Sequence, residues 1–159
     1  ILEVGTWNGV RAMQMCSWGA EYVGFDLFET ATDFTDYEEK NVKKHHTAAE
    51  VSKMLIEGGV KHTLIKGNTR DTLPTFYGSQ VDFAFIDGGH SVETIRSDWE
   101  EVRRIVRPNG IVVFDDYYED IPTDKWGANS IVDSLGGAKF SECADRIVGG
   151  GRTRIAWVT

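Results

Sequence analysis

Three carboxylates are predicted to meet at one end of a buried β-sheet. Asp87 follows the apolar run Val81–Ile86, and Asp115 and Asp116 follow the run Ile111–Phe114. Adjacent parallel strands bring their carboxyl ends to the same sheet edge, so the three side chains should lie close together. At an effective dielectric constant near 20, two such charges about 4 Å apart repel by on the order of 4 kcal/mol. Oxygen ligands in this number therefore favour a Mg²⁺ site.

The same residues also allow an interpretation without a metal. Asp87 would then contact a cofactor, while Asp115 and Asp116 would begin a solvated loop. His90 lies three residues after Asp87 in a segment loosened by two glycines. Because histidine titrates near neutral pH, His90 is a candidate general base, and a structural or helix-capping role is the alternative.

A glycine-containing turn, Gly5-Thr6-Trp7-Asn8-Gly9, follows the first apolar run. It departs from the dinucleotide motif GxGxxG because Trp7 stands in place of the second glycine, where it would obstruct a pyrophosphate. Asp26 closes the next strand about 20 residues later, where a carboxylate can accept hydrogen bonds from both hydroxyls of a ribose. The pair indicates a ligand that carries a nucleoside, although each feature alone could be an ordinary turn or loop residue.

Apolar runs of strand length alternate with helical segments, which is typical of a parallel sheet covered by helices. The predicted strands are Ile1–Val4, Tyr22–Phe25, Thr63–Ile65, Val81–Ile86, Ile111–Phe114, Lys139–Val148 and Thr153–Val158. The last two are joined by three glycines and should form an antiparallel hairpin. The prediction is a Rossmann-like, doubly wound α/β fold with a mostly parallel seven-stranded sheet and a C-terminal antiparallel hairpin.

Helices should position the strand ends that carry these side chains. They are predicted from the glycine turn to about Trp18, from the capping box Thr47–Glu50 to Gly58, from Ser91 to Val106, and from Ser130 to Leu135. The segment from Glu29 to His46 is polar and lacks a clear period, so it is interpreted as a long surface loop with at most a short helical turn. Its adjacent His45 and His46 have no acidic or cysteine partner at ligand spacing and are interpreted as surface residues.

Composition narrows the function classes. The chain has 159 residues, with 17 Lys plus Arg against 25 Asp plus Glu, giving a net charge of −8. This sign disfavours nonspecific binding to nucleic acid. No apolar run approaches the roughly 20 residues of a membrane-spanning helix. Cys16 and Cys143 are far apart and suggest neither a disulfide framework nor a zinc site, which fits a reducing cytoplasm. Because the chain opens at Ile1 directly on a buried strand, we expect it to be a fragment.

The whole chain resembles the class I S-adenosylmethionine-dependent methyltransferases. EVGTWNG resembles the family's first motif, GFDLFE the ribose-binding second strand, IKGNTRDTLP the third-strand segment, and FAFIDGGHSVET and GIVVFDDY the fourth and fifth. The E-x-G-T-x-x-G form, the Asp after strand four and the Asp-Asp after strand five resemble the metal-dependent O-methyltransferases, which include catechol-type and macrocin-type sugar enzymes.

The resemblance implies a set of site residues. S-adenosylmethionine would contact Glu3, Gly5, Thr6, Trp7, Gly9, Asp26, Asn68, Thr69 and Asp87. Within this set, Glu3 would brace the glycine turn or hold the amino group through water, Asp26 would bind the ribose, and Asn68 and Thr69 would lie beside adenine.

The resemblance also implies the chemistry and its partners. Mg²⁺ would be held by Asp87, Asp115 and Asp116, and the catalytic residues would be His90, as base, and Asp87. The substrate would be a small molecule with a hydroxyl group, and the resemblance allows a homo-oligomer. Residues 1–159 would form one methyltransferase domain without the helices that usually precede the first strand.

Two other functions stay open at this point. One is a metal-independent class I methyltransferase in which His90 or a substrate group is the base. The other is a nucleotide-binding Rossmann module without methyl chemistry, either a dehydrogenase domain or a non-catalytic cofactor sensor.

Overall fold

One mixed sheet forms the centre of the computed structural model, which describes residues 1–41, 43–120, 123–141, 146–148 and 151–159. Its strands are β1 (Leu2–Val4), β2 (Tyr22–Asp26), β3 (His62–Lys66), β4 (Val81–Ile86), β5 (Val106–Tyr118), β6 (Lys139–Phe140), β7 (Arg146–Val148) and β8 (Gly151–Val158). Their order across the sheet is β3-β2-β1-β4-β5-β8-β6, and β7 also pairs with β8.

The pairing of these strands confirms the predicted topology. β1 pairs in parallel with β2 and β4, β2 with β3, and β4 with β5. β8 runs antiparallel to β5, β6 and β7. The predicted strand Lys139–Val148 is divided into β6 and β7, which both pair with β8, so the described strands occupy seven positions across the sheet. Part of its middle, residues 142–145, and part of the predicted glycine turn, residues 149 and 150, lie outside the described residues.

The helices are α1 (Val10–Met15), α2 (Asp33–Glu39), α3 (Ala48–Glu57), α4 (Thr69–Thr72), α5 (Val92–Ile105) and α6 (Asn129–Leu135), with a 3-10 turn at Phe28–Thr30. The predicted capping box at the start of α3 is present, because Thr47 and Glu50 exchange hydrogen bonds. Among the described residues, no helix has the length and apolar character that a bilayer crossing needs.

Two clusters of buried side chains cover the two faces of the sheet. Residues of α5 and α6 pack with β1, β4 and β5 in one cluster. Residues of α1 and α3 pack with Tyr22 and Phe28 in the other. Tyr22 and Phe25 of β2 belong to different clusters, as expected because their odd spacing along a strand puts them on opposite faces. The fold is therefore doubly wound, as predicted.

The helix α2 corrects the prediction of a long surface loop between Glu29 and His46. Thr32 and Thr35 form its capping box, with threonine where the usual pattern has glutamate or glutamine. Its apolar residues Phe34 and Tyr37 are 70% and 80% exposed. The helix therefore has no apolar stripe facing the core, which explains why periodicity did not reveal it.

The strand β5 is longer than predicted and contains two irregularities. Opposite β4, Val106 pairs with Val81 and Ile111 with Phe83, so the predicted turn at residues 108–110 is a bulge within the strand. Opposite β8, the register shifts between Phe114 and Tyr117. The second shift contains the two consecutive aspartates, and such bulges redirect side chains at the end of a strand.

Gly5 allows the chain after β1 to approach the chain after β4 at the carboxyl ends of the strands. Its φ is +87°, and a Cβ built there would lie 1.9 Å from the carbonyl oxygen of Asp87. We expect Gly5→Ala to lower the free energy of unfolding by about 3 kcal/mol or more, from the combined backbone strain and steric overlap. Urea denaturation measures this loss.

Gly19→Ala is the matched control for that measurement. Gly19 has a φ of +85°, yet nothing lies within 4 Å of its hypothetical Cβ. Gly19→Ala should therefore lower the free energy of unfolding only by the left-handed backbone penalty of about 1–2 kcal/mol. Equal losses in the two variants would show that the close approach to Asp87 is unimportant for stability.

Candidate functional site

A cavity of about 280 Å³ opens at the carboxyl ends of β1, β2, β3 and β4. Seven residues predicted for the site line it: Gly5, Trp7, Asp26, Asn68, Thr69, Asp87 and His90. Side chains of α2 and of the segment after it line another part of the wall, including Phe34, Asp36, Lys43 and His46. The cavity thus lies where ligands bind in open α/β sheets.

The Asp26 carboxylate fixes the glycine turn beside this cavity. Its Oδ2 accepts a hydrogen bond from the backbone N–H of Trp7 at 2.7 Å, and its Oδ1 accepts one from the N–H of Phe28 at 2.7 Å. Each carboxylate oxygen has a second acceptor site. Asp26 can therefore hold the turn and still accept hydrogen bonds from a ligand.

Three residues predicted to contact the cofactor, Glu3, Thr6 and Gly9, are not among the residues that line the cavity. Glu3 is fully buried and accepts a hydrogen bond from the Tyr22 hydroxyl, which lies 2.9 Å from the Thr6 hydroxyl. Gly9 packs on α3, where an added Cβ would lie 2.7 Å from Met54 Cε. These contacts suit the bracing role expected of Glu3, and direct cofactor contact by the three residues stays a prediction.

Arg11 joins two buried carboxylates and was not singled out from the sequence. Its Nη1 lies 3.2 Å from Glu3 Oε1 and its Nη2 lies 2.6 Å from Asp87 Oδ2. The guanidinium carbon is 4.4 Å from the centre of the Phe85 ring. Lys43 Nζ lies 3.9 Å from the same Asp87 oxygen. No local pattern predicts these contacts, because Asp87 is 76 positions further along the chain than Arg11.

Burial dominates the electrostatics of these carboxylates. Burial and, to a smaller extent, the nearby Asp115 carboxylate raise the pKa of Asp87 to about 7, against the lowering effect of Arg11 and Lys43. Burial likewise raises the pKa of Glu3 to about 7, although the Tyr22 hydroxyl and Arg11 both favour its charged form. The charged forms of Glu3 and Asp87 are therefore favourable only with positive charge nearby.

His90 is oriented by the carboxyl end of α2. Its Nδ1 lies 2.8 Å from the backbone carbonyl of Glu39. Because a carbonyl can only accept, Nδ1 must carry the proton, and in the neutral ring Nε2 is then the basic nitrogen. Nε2 lies 3.7 Å from Asp116 Oδ2. The structure thus presents a basic nitrogen next to the predicted acidic cluster.

The predicted metal ligands come together only in part. Ligand atoms of Asp87, His90 and Asp116 all lie within 4.8 Å of one another, a spacing that could hold a metal ion. Asp115 is also buried but is outside this group. Its role as a ligand stays a prediction, and His90 is an additional candidate ligand.

Polar contacts hold α2 against the start of α5. The Glu39 carboxylate accepts hydrogen bonds from the backbone N–H of Ser91 at 2.8 Å and from the Thr94 hydroxyl at 2.5 Å. These contacts place the Glu39 carboxylate at the amino end of α5, where the helix dipole favours negative charge. These partners are more than 50 positions apart in the chain, so a local sequence pattern could not have identified Glu39.

His45 and His46 also belong to the cavity wall. Both are half-buried, and His45 Nε2 lies 2.7 Å from Asp36 Oδ1. They are therefore partly exposed, as residues of the surface can be, and His45 has the acidic partner that its sequence neighbours did not supply. The acidic partner of His45 comes from α2, a helix that the sequence pattern did not reveal.

Solved proteins share this fold at low sequence identity. The O-methyltransferase TomG from Streptomyces achromogenes, involved in tomaymycin synthesis and solved in complex with S-adenosylmethionine, is 18% identical with a TM-score of 0.69, covering 98% of this chain and 70% of its own. The calicheamicin methyltransferase CalS11 is 19% identical with a TM-score of 0.63, covering 99% and 70%. Precorrin 8w decarboxylase from Methanobacterium thermoautotrophicum is 13% identical with a TM-score of 0.66, covering 99% and 80%. The decarboxylase shows that the fold alone does not fix one reaction.

Sequence comparison gives the family. An uncharacterized protein of Acanthamoeba polyphaga mimivirus is 32% identical over 81 residues, which are 50% of this chain and 35% of that protein. The family described as "Methyltransferase domain" matches residues 2–117, a range that contains every residue predicted for the site. The chain therefore belongs to this methyltransferase family, in agreement with its resemblance to the class I S-adenosylmethionine-dependent enzymes.

Proposed function

We propose that this domain transfers the methyl group of S-adenosylmethionine to a hydroxyl oxygen of a small molecule. The observation that carries the proposal is the basic Nε2 of His90, which lies beside Asp116 at the edge of the cavity. A base at this place can take the proton that the substrate hydroxyl loses when its oxygen is methylated.

The cofactor would lie along the strand ends that line the cavity. Asp26 would accept hydrogen bonds from the ribose hydroxyls, Asn68 and Thr69 would lie beside adenine, and the Gly5 turn would contact the methionine part. Asn68 also begins α4, where its Oδ1 accepts a hydrogen bond from the Arg70 N–H at 3.0 Å. That bond keeps the Asn68 side chain in one orientation.

His90 would act with the help of α2. When bound, S-adenosylmethionine would supply the methyl group to the substrate oxygen and would be released as the neutral thioether. The hydroxyl proton moves to His90 Nε2. The Glu39 carbonyl, which accepts the hydrogen bond from Nδ1–H, stabilises the imidazolium that forms. Holding the two reactants in this alignment supplies much of the catalysis.

The donor set at the cavity edge suits a divalent cation. Two carboxylates, Asp87 and Asp116, lie with His90 at a spacing that could hold one, and Asp115 is the further ligand that we propose from the sequence. When bound, Mg²⁺ would lower the pKa of the substrate hydroxyl and orient it. His90 cannot be a ligand through Nε2 and a base at once, so the two roles exclude each other within one turnover.

Metal-independent transfer is the second candidate, and one observation favours it. Arg11 and Lys43 already bring two positive charges to Asp87, at 2.6 Å and 3.9 Å. They could supply the positive charge that the metal would otherwise provide.

Removal of metal separates these candidates. We expect S-adenosylmethionine and S-adenosylhomocysteine, at about 100 times their dissociation constants, to stabilise the domain by about 2.7 kcal/mol in thermal unfolding, with a larger effect in Mg²⁺ than in EDTA. Methyl transfer to hydroxylated compounds should fall in EDTA and in the variants Asp115→Ala and Asp116→Ala. Full activity that is insensitive to EDTA in those variants would eliminate the metal and leave the metal-independent reaction.

Thermal unfolding in the presence of NADH tests the alternative of a dinucleotide-binding module. Stabilisation by NADH alone would favour a dehydrogenase-like module and would contradict the proposed function. Binding of S-adenosylmethionine with no methylated product from any hydroxylated compound would favour a non-catalytic sensor.

A further inference from the structure

We propose that the Glu39 carboxylate is a positioning residue that fixes the tautomer of His90. Glu39 contacts His90 through its backbone carbonyl and α5 through its side chain, so the anchor of the helix and the partner of the imidazole belong to one residue. The inference rests on the proposed function and deepens it, because the tautomer matters only if Nε2 must be free of a proton to act.

The His90 ring has two competing partners. Its Nδ1 lies 2.8 Å from the Glu39 carbonyl oxygen, and its Nε2 lies 3.7 Å from Asp116 Oδ2. A neutral imidazole carries one ring proton, so it donates either to the carbonyl or to the carboxylate. A hydrogen bond to a carboxylate is the stronger kind. If the carbonyl moved away, the proton would go to Nε2, which could then neither accept a substrate proton nor bind a cation.

The Glu39 carbonyl is available because α2 ends at this residue. The last four carbonyls of a helix have no partner within the helix. The N–H groups of the next two residues, Lys40 and Asn41, bond to carbonyls earlier in α2. The end of the helix therefore presents the Glu39 carbonyl to the His90 ring.

The Glu39 side chain holds that carbonyl in place. Its Oε2 accepts a hydrogen bond from the Ser91 N–H at 2.8 Å, and its Oε1 accepts hydrogen bonds from the Ser91 hydroxyl at 3.1 Å and the Thr94 hydroxyl at 2.5 Å. None of the seven residues of α2 is buried, so apolar packing contributes little to its attachment. Because Ser91 directly follows His90, the carboxylate anchors the helix next to the ring that its carbonyl orients.

The glycine before His90 leaves the space that this carboxylate occupies. A Cβ at Gly89 would lie 2.6 Å from Glu39 Oε2 and 2.7 Å from Thr94 Cγ2. The φ of Gly89 lies outside the left-handed region, so these contacts, and not the backbone, limit an alanine there. Gly89→Ala therefore displaces the Glu39 carboxylate without altering Glu39 or His90.

Capping of α5 is the competing explanation for Glu39. The helix already has an N-cap, because the Ser91 hydroxyl accepts a hydrogen bond from the Thr94 N–H at 3.2 Å. A cap also needs no contact between the Glu39 carbonyl and an imidazole. The two contacts together favour a positioning role for Glu39.

Nitrogen-15 NMR of the imidazole rings tests this role, because protonated and unprotonated ring nitrogens resonate far apart. The spectra are recorded without cofactor in mildly alkaline buffer, where an ordinary imidazole is neutral. We expect His90 of the unmodified protein to be protonated on Nδ1. In Glu39→Ala and in Gly89→Ala, the ratio of Nδ1–H to Nε2–H should fall about fivefold or more, the equivalent of one ordinary hydrogen bond. Glu39→Gln retains one acceptor oxygen and should give an intermediate ratio.

The chain supplies matched controls. It has four histidines, and the spectrum of His90→Gln identifies the His90 signals by their loss. His62, whose Nδ1 lies 2.9 Å from the Val60 carbonyl, should keep its tautomer in every variant. Glu38→Gln removes the same charge from the exposed neighbouring position of α2 and should leave the His90 ratio unchanged.

The remaining outcomes separate this role from the proposed function. An unchanged His90 ratio in both Glu39→Ala and Gly89→Ala would overturn the positioning role. An equal change at His62 would also overturn it, because it would reflect a general loss of structure. The expected shift in a protein that binds no S-adenosylmethionine would support the positioning of His90 and refute only the proposed function.

Discussion

Replacing Asp98 by asparagine is expected to stabilise the domain at pH 8 by up to about 4 kcal/mol, the equivalent of its pKa rise from 3.8 to about 7. Asp98 lies on α5 and is fully buried. Among the described residues its carboxylate oxygens lack a hydrogen bond of good geometry, although Thr69 and Arg70 lie near enough to favour the charged form. Burial penalises the charged form more than Thr69 and Arg70 favour it, and the Glu39 carboxylate adds to the penalty, which is why the pKa of Asp98 is raised.

The sign of the effect fixes its pH dependence. With a raised pKa in the folded state, the folded protein binds this proton more tightly than the unfolded chain does. The contribution of Asp98 to the free energy of unfolding is therefore fully present below about pH 4. It is lost as the pH rises to about 7. Asp98→Asn removes that dependence, so the advantage of the variant should appear between pH 5 and pH 8 in urea unfolding.

Glu100→Gln is the control for this measurement. Glu100 lies on the same helix, with a side chain that is 51% exposed and paired with Arg103. Its substitution should change stability by less than about 1 kcal/mol at either pH. A difference between Asp98→Asn and the unmodified protein that stays constant from pH 5 to pH 8 would contradict a charged, buried Asp98.

Replacing His90 by glutamine is expected to lower kcat about 100- to 10,000-fold, the range for loss of a general base. The affinity for S-adenosylmethionine should change little, because the proton transfer involves the substrate hydroxyl. The rise of kcat with pH that the base produces should disappear in the variant. Initial rates across pH, together with titration of the cofactor, measure both effects.

His62→Gln controls for removal of a histidine. His62 has its Nδ1 2.9 Å from the Val60 carbonyl, as His90 has its own near Glu39, but its Nε2 contacts Ser52 on α3. The kcat of the His62→Gln variant should match that of the unmodified protein. Restoration of activity in His90→Gln by excess Mg²⁺ would identify His90 as a metal ligand and refute its role as a base.

The strand ends could be predicted because their determinants are local. The apolar run Val81–Ile86 is continuous and ends at Asp87, so both the strand and its terminal carboxylate follow from the pattern. The position of Asp26 at the end of the second strand predicted a ligand contact in the same way, and the resemblance added an adenine contact for Asn68; both residues line the cavity.

The remainder of the site depends on contacts between distant segments. Arg11 contacts Asp87, 76 positions away, and Glu39 contacts Ser91, 52 positions away. Neither pairing can be predicted from a local sequence pattern. The consecutive aspartates show the same limit. Their spacing predicts two ligands, but the direction of Asp115 and Asp116 depends on the register shift between β5 and β8.

The polar attachment of α2 has a consequence for ligand exchange. Phe34 and Tyr37 are already largely exposed while α2 is docked, and Glu39 holds the helix through hydrogen bonds to Ser91 and Thr94. Moving this wall aside would therefore uncover little apolar surface and would change the heat capacity only slightly. Water can replace the hydrogen bonds that Glu39 would lose. Opening of the cavity should consequently cost little free energy, so that a bound nucleoside would leave past this wall without global unfolding of the domain.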